Sequence, residues 1–186
     1  GFSRFCTNPP VRPPQRLTAG DINMQFIDLA AQRMRIADRL EKAVSKVMAE
    51  GRYILGPEVS EFEEKIAAFV GAKHAVACAN GTDALLMPLM ACGVGPGDAV
   101  FVPSFTFAAT AEVVALTGAT PVFVEVSQQT YNISPSHLED AITAIKAEGR
   151  LNIKAIIPVD LFGTPADYPA IEAIARKHDL LILSDA

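Results

Sequence analysis

The residues best able to do chemistry occur in four short segments, each of which follows an apolar run that predicts a β-strand. These segments are Ala79-Asn-Gly-Thr-Asp83, Pro103-Ser-Phe-Thr-Phe107, the loop that contains Asp160, and the end of the chain at Asp185. In open parallel sheets, ligands bind in the crevice beyond the carboxyl ends of the strands. Each of the four segments is therefore a candidate binding position.

The first segment predicts a turn at Gly81, followed by a helix that begins at Thr82 or Asp83. Free N–H groups at a helix start, together with the helix dipole, attract an anion such as phosphate, and Thr82 adds a hydroxyl donor. An ordinary capped helix has the same sequence features, so both interpretations stay open. Neither GxGxxG nor GxxxxGK(S/T) occurs, so the two commonest nucleotide-binding loops are absent.

Aromatic and acidic side chains follow the other strands. Phe105 and Phe107 are able to stack on a flat cofactor, but they also suit the core at a helix start. Asp160 either caps its own loop or takes part in a site. Asp185 ends a buried strand, where a carboxylate needs a cation or several donors, for example a protonated ring nitrogen. A helix cap is the alternative role for Asp185.

Apolar residues recur at helical spacing in six places. Helices are predicted over 30–50, from Pro57 to Gly71, over 82–92 with Pro88 inside, over 106–117, from Ser134 onwards, and over 169–178. In the second helix, Val59, Phe62, Ile66 and Phe69 are the predicted buried face. We assign the first two helices to a layer other than the sheet, or to a contact with another subunit.

Five short apolar runs predict strands, at 74–78, 99–103, 121–126, 153–159 and 180–183. They are apolar on both faces, as in a parallel sheet that is covered by helices on both sides. After the first two helices, the five strands alternate with helices along the chain. The fold class is therefore α/β.

Composition excludes several classes of protein. Half of the 186 residues are hydrophobic and 20% are charged, which is enough apolar material for a core and unlike a disordered chain. The net charge of −5 and the lack of a basic stripe argue against nucleic-acid binding. No apolar run reaches the ~18–20 residues of a membrane span. Cys6, Cys78 and Cys92 form no CxxC pair, so we predict free thiols in a reducing cytoplasm and no metal site.

Both ends of the chain are unusual for a complete domain. Residues 1–23 are rich in proline and lack apolar periodicity, so they predict an extended or disordered arm. The chain stops at Ala186, directly after a predicted buried strand. We therefore expect residues 24–186 to be the N-terminal part of a larger domain.

Six segments, in this order, resemble the DegT/DnrJ/StrS family, whose members are pyridoxal-phosphate-dependent aminotransferases acting on nucleotide-linked keto-sugars. They are Tyr53-Ile-Leu-Gly-Pro-Glu-Val59, Ala79-Asn-Gly-Thr-Asp-Ala-Leu85, Gly93-Val-Gly-Pro-Gly-Asp98, Pro103-Ser-Phe-Thr-Phe107, Pro158-Val-Asp-Leu-Phe-Gly163 and Ser184-Asp185-Ala186. The resemblance covers residues 24–186. It implies the aspartate-aminotransferase fold: a mostly parallel large domain, truncated here, and a small C-terminal domain.

The resemblance also implies pyridoxal 5'-phosphate as the cofactor. Gly81, Thr82 and Asp83 would line its phosphate, Phe107 would stack on its ring, and Asp185 would bind the ring nitrogen.

Substrate and partner contacts are implied for other residues. Tyr53, Gly56 and Ser104 are assigned to the substrate, and the Tyr53–Pro57 segment is expected near the substrate or the partner subunit of a homodimer. The family's Schiff-base lysine is expected beyond Ala186, so the catalytic residue is unknown and this chain alone should be inactive.

The implied reaction is transamination of a nucleotide-linked keto-sugar, with glutamate as the amino donor, for cell-surface polysaccharide or a related glycan. Two alternatives remain open. A sugar dehydratase of the same family would carry histidine at the lysine position. A non-catalytic regulatory relative would be expected to lose Asp185 or Phe107, and both are present here.

Overall fold

The computed structural model describes residues 27–186, so the predicted arm of residues 1–23 lies outside the described part. The chain divides into two compact units, residues 1–73 and residues 74–186. The first unit is described from residue 27. Each unit is treated by itself below, and the predicted boundaries of a single unit over 24–186 stay a prediction.

The first unit consists of two helices, α1 (Leu29–Glu50) and α2 (Pro57–Val70). The Asp28 side chain caps α1 by accepting a hydrogen bond from the Ala31 amide at 2.9 Å. Gly51 ends α1 in the left-handed conformation, with φ of 68°. Proline opens α2 at its first position, where its missing N–H is not needed. Both predicted helices are confirmed to within one residue.

Within residues 27–186, the apolar faces of α1 and α2 are largely exposed. Neither helix contains a buried residue. On the predicted buried face of α2, Phe62 is 57% exposed and Phe69 is 86% exposed, whereas Val59 and Ile66 are half-buried. That prediction of burial is wrong for the two phenylalanines. Amphipathic spacing specifies which face is apolar, but burial requires a second apolar surface.

The second unit is built on a four-stranded sheet: β1 (Asp98–Pro103), β2 (Thr120–Val124), β3 (Asn152–Ile156) and β4 (Leu181–Ile182). The spatial order is β2-β1-β3-β4, and all three pairings are parallel. All six residues of the central strand β1 are buried. The predicted parallel sheet is confirmed.

Helices cover the sheet on both faces. They are α3 (Gly81–Ala91), α4 (Ala109–Leu116), α5 (Pro135–Glu148) and α6 (Tyr168–His178). Val100 and Val102 of β1 pack in one core with residues of α3 and α4. Phe101, between them, packs in a second core with residues of α5 and α6. Because successive side chains of a strand point to opposite faces, β1 joins the two cores, and the α/β class is confirmed.

The structure differs from the sequence prediction in two segments. Residues 74–78 form no strand, because no neighbouring strand pairs with them among residues 27–186. The helix predicted over 106–117 begins only at Ala109. Before it, the Ser104 amide donates to the Val124 carbonyl at 2.8 Å, which continues the sheet past β1. Within the described residues, no helix is long and apolar enough to cross a membrane.

Candidate functional site

The backbone around Asp185 is fixed at the carboxyl edge of the sheet. Val159 and Asp185 form a parallel bridge beyond the ends of β3 and β4. The Asp160 amide donates to the Asp185 carbonyl at 2.9 Å, and the Asp185 amide donates to the Pro158 carbonyl at 3.0 Å. The third and fourth predicted segments therefore meet, as their positions after neighbouring strands require.

The Asp185 carboxylate also reaches the second predicted segment. Its Oδ2 accepts a hydrogen bond from the Thr110 hydroxyl at 2.9 Å, and the Thr110 and Thr106 hydroxyl oxygens are 3.1 Å apart. Thr110 is fully buried, and Asp185 is half-buried. The other oxygen, Oδ1, has no hydrogen-bond partner among residues 27–186. Asp185 thus presents one free acceptor at this edge.

The start of α3 retains free donors. The Asn80 side chain accepts from the Asp83 amide at 2.9 Å and donates to the Asp83 carboxylate at 3.1 Å. The amides of Gly81 and Thr82 have no acceptor within the described part of the chain. A Cβ added at Gly81 would meet no atom within 4 Å. Two free amides beside open space suit an oxyanion such as phosphate.

One detail of the predicted turn is corrected. Gly81 is the first residue of α3, and it is not among the glycines with positive φ. Asn80, which the sequence analysis did not single out, makes the turn and caps the helix instead. The sequence could have indicated Asn80 as the helix cap, since asparagine is one of the commonest residues before a first helical turn. The helix interpretation and the anion interpretation are therefore compatible.

Phe107 presents its ring to solvent. It is 78% exposed, which excludes the alternative that it belongs to the core. Its carbonyl accepts from the Thr110 amide at 3.2 Å, so the ring is held beside the start of α4. Phe105 is 49% exposed, and its ring centroid lies 5.7 Å from that of Tyr131. An exposed aromatic ring close to the residue that binds Asp185 is suited to stacking on a flat cofactor.

Asp160 fastens its own loop. Its Oδ1 accepts from the Ala166 amide and from the Tyr168 hydroxyl, both at 2.9 Å. Burial raises the pKa of Tyr168, the hydrogen bond to Asp160 and the charges of Asp160 and Asp185 add to the rise, and the contact with Ser184 opposes it. Of the two roles that the sequence left open for Asp160, the structure shows the loop cap.

The predicted substrate residues are divided between the two units. Ser104 is exposed and directly follows β1. In the first unit, the Tyr53 hydroxyl donates to the Met48 carbonyl at 3.2 Å. Gly56 is buried, and a Cβ there would lie 2.4 Å from the Arg52 carbonyl oxygen. Gly56 therefore has a steric reason to be glycine, and the substrate role of all three residues stays a prediction.

Comparison with known proteins identifies the family to which this fold and this site belong. The profile of the DegT/DnrJ/EryC1/StrS aminotransferase family matches residues 34–186. The chain is a member of that family, and the resemblance of the six sequence segments is confirmed.

Individual relatives agree with this membership. The chain is 52% identical over 163 residues to UDP-2-acetamido-2-deoxy-3-oxo-D-glucuronate aminotransferase of Pseudomonas aeruginosa, covering 88% of this chain and 44% of that protein. It is 65% identical to the crystal structure of a DegT/DnrJ/EryC1/StrS aminotransferase from Brucella abortus, with a TM-score of 0.87 over 88% of this chain and 44% of that one.

A third likeness concerns a structure that holds a cofactor. NtdA from Bacillus subtilis, solved with bound cofactor PMP, is 31% identical with a TM-score of 0.74, covering 81% of this chain and 33% of that one. The chain spans less than half the length of the relatives that it matches. The predicted aminotransferase fold is confirmed for the part that is present.

Proposed function

We propose that this chain is the cofactor-binding part of a pyridoxal-phosphate-dependent aminotransferase. Its reaction would replace the keto group of a nucleotide-linked sugar with an amine, with glutamate as the amino donor, for cell-surface polysaccharide or a related glycan. The observation that carries the proposal is the Asp185 carboxylate, fixed at the sheet edge with one oxygen free. Family membership and a relative that acts on a UDP-linked 3-keto sugar support the substrate class.

The donor set at the sheet edge fits pyridoxal phosphate. The free amides of Gly81 and Thr82 and the Thr82 hydroxyl would hold the phosphate, with Asp83 beside them. The exposed ring of Phe107 would lie against the pyridine ring. Asp185 Oδ1 would accept a hydrogen bond from the protonated ring nitrogen. When bound, the cofactor supplies an electron sink for negative charge that develops beside the amino group.

In this scheme, the site residues of this chain bind the cofactor or the substrate, orient them, or hold a proton in place. The Asp185 carboxylate keeps a proton on the ring nitrogen, because an opposite charge within hydrogen-bond distance favours the charged form of a base. Asp160 and Tyr168 hold the loop that pairs with the Asp185 backbone. Ser104 lies after β1, where it would meet the substrate. We place the proton-shuttling lysine outside residues 1–186, so this chain alone would not turn over.

The assembly and its location are part of the same proposal. We expect a homodimer, and we place it in the cytoplasm. The reason for the homodimer is that α1 and α2 present a large apolar surface that is exposed within residues 27–186. That surface includes the following residues, all at least 43% exposed: Leu29, Met34, Leu40, Val44, Met48, Phe62 and Phe69. A second copy of the chain would bury such a patch. Tyr53 and Gly56, between the two helices, would then lie near substrate or partner.

The proposal is tested by binding of pyridoxamine 5'-phosphate to the protein expressed from the complete reading frame of its gene. Asp185→Asn preserves the shape of the side chain but removes its charge. We expect it to weaken binding by about 10- to 100-fold, since a hydrogen bond to a charged group contributes about 1.5–3 kcal/mol. Asp140→Asn, at an exposed position of α5, is the matched control and should bind like the unaltered protein.

Activity is then measured with a UDP-linked 3-keto sugar and glutamate, by detection of the amino sugar. The identity of the residue at the lysine position in the complete reading frame separates a transaminase from a dehydratase. Absence of pyridoxamine phosphate binding by the unaltered protein, or equal binding by Asp185→Asn, would contradict the proposal.

A further inference from the structure

The Asp185 carboxylate is approached from inside the protein by two threonine hydroxyls in series. Thr110 donates to Asp185 Oδ2 at 2.9 Å, and Thr106 lies 3.1 Å from the Thr110 hydroxyl oxygen. Thr110 and Asp185 are 75 residues apart in sequence and come from different elements. The hydroxyl of Thr110 is the only side-chain donor to this carboxylate among residues 27–186.

The direction of this chain of hydrogen bonds follows from counting protons. A threonine hydroxyl has one proton to donate and lone pairs to accept with. Because the Thr110 proton goes to Asp185, the Thr106 hydroxyl must donate to Thr110. Successive hydrogen bonds of one direction polarise each other, so Thr106 strengthens the donor that faces Asp185.

We infer that Thr110, supported by Thr106, is a positioning residue that holds the Asp185 carboxylate turned with Oδ1 towards the cofactor ring nitrogen. The inference rests on the proposed function. Oδ2 is occupied by the threonine, and the backbone of Asp185 is held on both sides by Pro158 and Asp160. Oδ1 is then the one oxygen left to accept the ring N–H.

The physical effect of Thr110 is on the orientation of the Asp185 carboxylate. A hydrogen bond to Oδ2 restricts rotation of the carboxylate group. The side chain of Thr110 is fully buried, so water does not replace it easily as a donor. Without this donor, the carboxylate rotates more freely, and Oδ1 is directed less often at the position of the ring nitrogen.

A purely structural role for Thr110 has to be separated from this one. Its fully buried position in α4 makes loss of packing the obvious alternative. Thr110→Val keeps the size and the branching of the side chain and removes only the hydroxyl. Thr110→Ser keeps the hydroxyl and removes the methyl group. Loss through packing would affect the serine variant at least as much as the valine variant.

The experiment is a titration with pyridoxamine 5'-phosphate at a series of pH values, using protein expressed from the complete reading frame. We expect Thr110→Val to bind about tenfold more weakly near neutral pH, the effect of losing one hydrogen bond to a charged group. Thr110→Ser keeps the donor and should bind like the unaltered protein. Thr106→Val should weaken binding in the same direction as Thr110→Val, but less.

The titratable groups near Asp185 are Asp160, which binds its carbonyl through the backbone, and Tyr168, whose pKa is raised by burial and further by Asp160 and Asp185. Neither is altered in these variants, so both affect all profiles equally. Thr143→Val is the matched control. The Thr143 hydroxyl donates to the Glu139 carbonyl at 2.9 Å on the exposed side of α5. It should leave the pH profile unchanged.

The outcomes distinguish this inference from the function on which it rests. If the unaltered protein does not bind pyridoxamine phosphate, the proposed function fails and the inference fails with it. If it binds and Thr110→Val binds equally well at every pH, the function stands and the inference is wrong. The inference is also wrong if the valine and serine variants weaken binding alike, because the serine variant keeps the hydroxyl donor. Thermal melts of each variant show which losses come from unfolding.

Discussion

The two units of this chain use the same amphipathic patterning with opposite results. In residues 74–186, helices on both faces of a parallel sheet enclose two cores, and every residue of β1 is buried. In residues 27–73, two well-formed helices bury no residue at all. A sheet supplies its own covering surface through its crossover helices, whereas a pair of helices depends on apolar surface from elsewhere. The difference teaches that the second unit builds a core with the candidate site at its edge, whereas the helices of the first unit leave their apolar side chains exposed within residues 27–73.

The largest expected difference between the two units is in the effect of removing a phenylalanine ring. Phe101→Ala empties a fully buried position in β1 and should lower the free energy of unfolding by about 3–5 kcal/mol. Phe62→Ala in α2, where the ring is 57% exposed, should change it by about 0.5 kcal/mol. Denaturant titration of both variants measures the two values. Equal losses would show that the α2 face is buried in solution and would break the contrast.

Substitution of one glycine in each unit tests the same contrast, and the larger of the two changes in stability should lie between the largest and the smallest predicted effects. Gly56→Ala brings a methyl carbon to 2.4 Å from the Arg52 carbonyl oxygen, and this backbone atom must move. We expect a loss of about 1–3 kcal/mol from overpacking. Gly81→Ala meets open space at the first position of α3, so its stability should stay within about 0.5 kcal/mol. Thermal melts of the two variants check this order, and a larger loss at Gly81 would contradict it.

The smallest expected effect is electrostatic and depends on pH. Hydrogen bonds from Lys177 and His178 lower the pKa of Glu139 below its ordinary value. A lowered folded-state pKa means that the contribution to stability is present above the unfolded-state pKa and is lost as the pH falls through the folded-state value. Glu139→Gln should therefore cost about 0.5 kcal/mol at neutral pH and nothing in strong acid.

Glu58 of the first unit is the counterpart of Glu139. The Lys46 side chain lowers its pKa in the same sense, but the second partner of Glu139, His178, is far more enclosed, with a side chain 9% exposed against 57% for Lys46. Salt screens exposed pairs more strongly than enclosed ones. Glu58→Gln should thus have a smaller effect than Glu139→Gln, and the effect should vanish first as salt is added. Denaturant titrations over a range of pH and salt measure both, and the reverse order would show that enclosure between α5 and α6 adds nothing.

The helices were the most predictable part of the fold. α1, α2 and α3 begin and end within one residue of their predicted limits, because proline and glycine act locally. The sequence prediction failed where the conformation of a segment depends on pairing with another segment of the chain. Residues 74–78 have strand-like composition, but a strand exists only by pairing. The start of α4 moved to Ala109 because the preceding residues continue the sheet through the contact between Ser104 and Val124.

The candidate site was predictable in outline and not in detail. Asp185 and Gly81 stand out because each directly follows a predicted strand. The role of Asp160 stayed open until its bonds to Ala166 and Tyr168 were visible. Thr110 had only a weak signal, as the one threonine in an apolar helical stretch, Ala109–Leu116. Its importance comes from a contact with a residue 75 positions away, which no local pattern encodes.

By itself, the sequence determined the α/β class, the family resemblance, the limits of α1, α2 and α3, and the positions of Asp185 and Phe107 after strands that the structure contains. These follow from periodicity, turn residues and short motifs, all of which act over a few neighbouring residues. Only the tertiary structure decided that Phe107 is exposed, that Asp160 is a loop cap and that Thr110 binds the Asp185 carboxylate. Burial and hydrogen-bond partnership are properties of surfaces that meet across the fold, and strand order determines which surfaces meet.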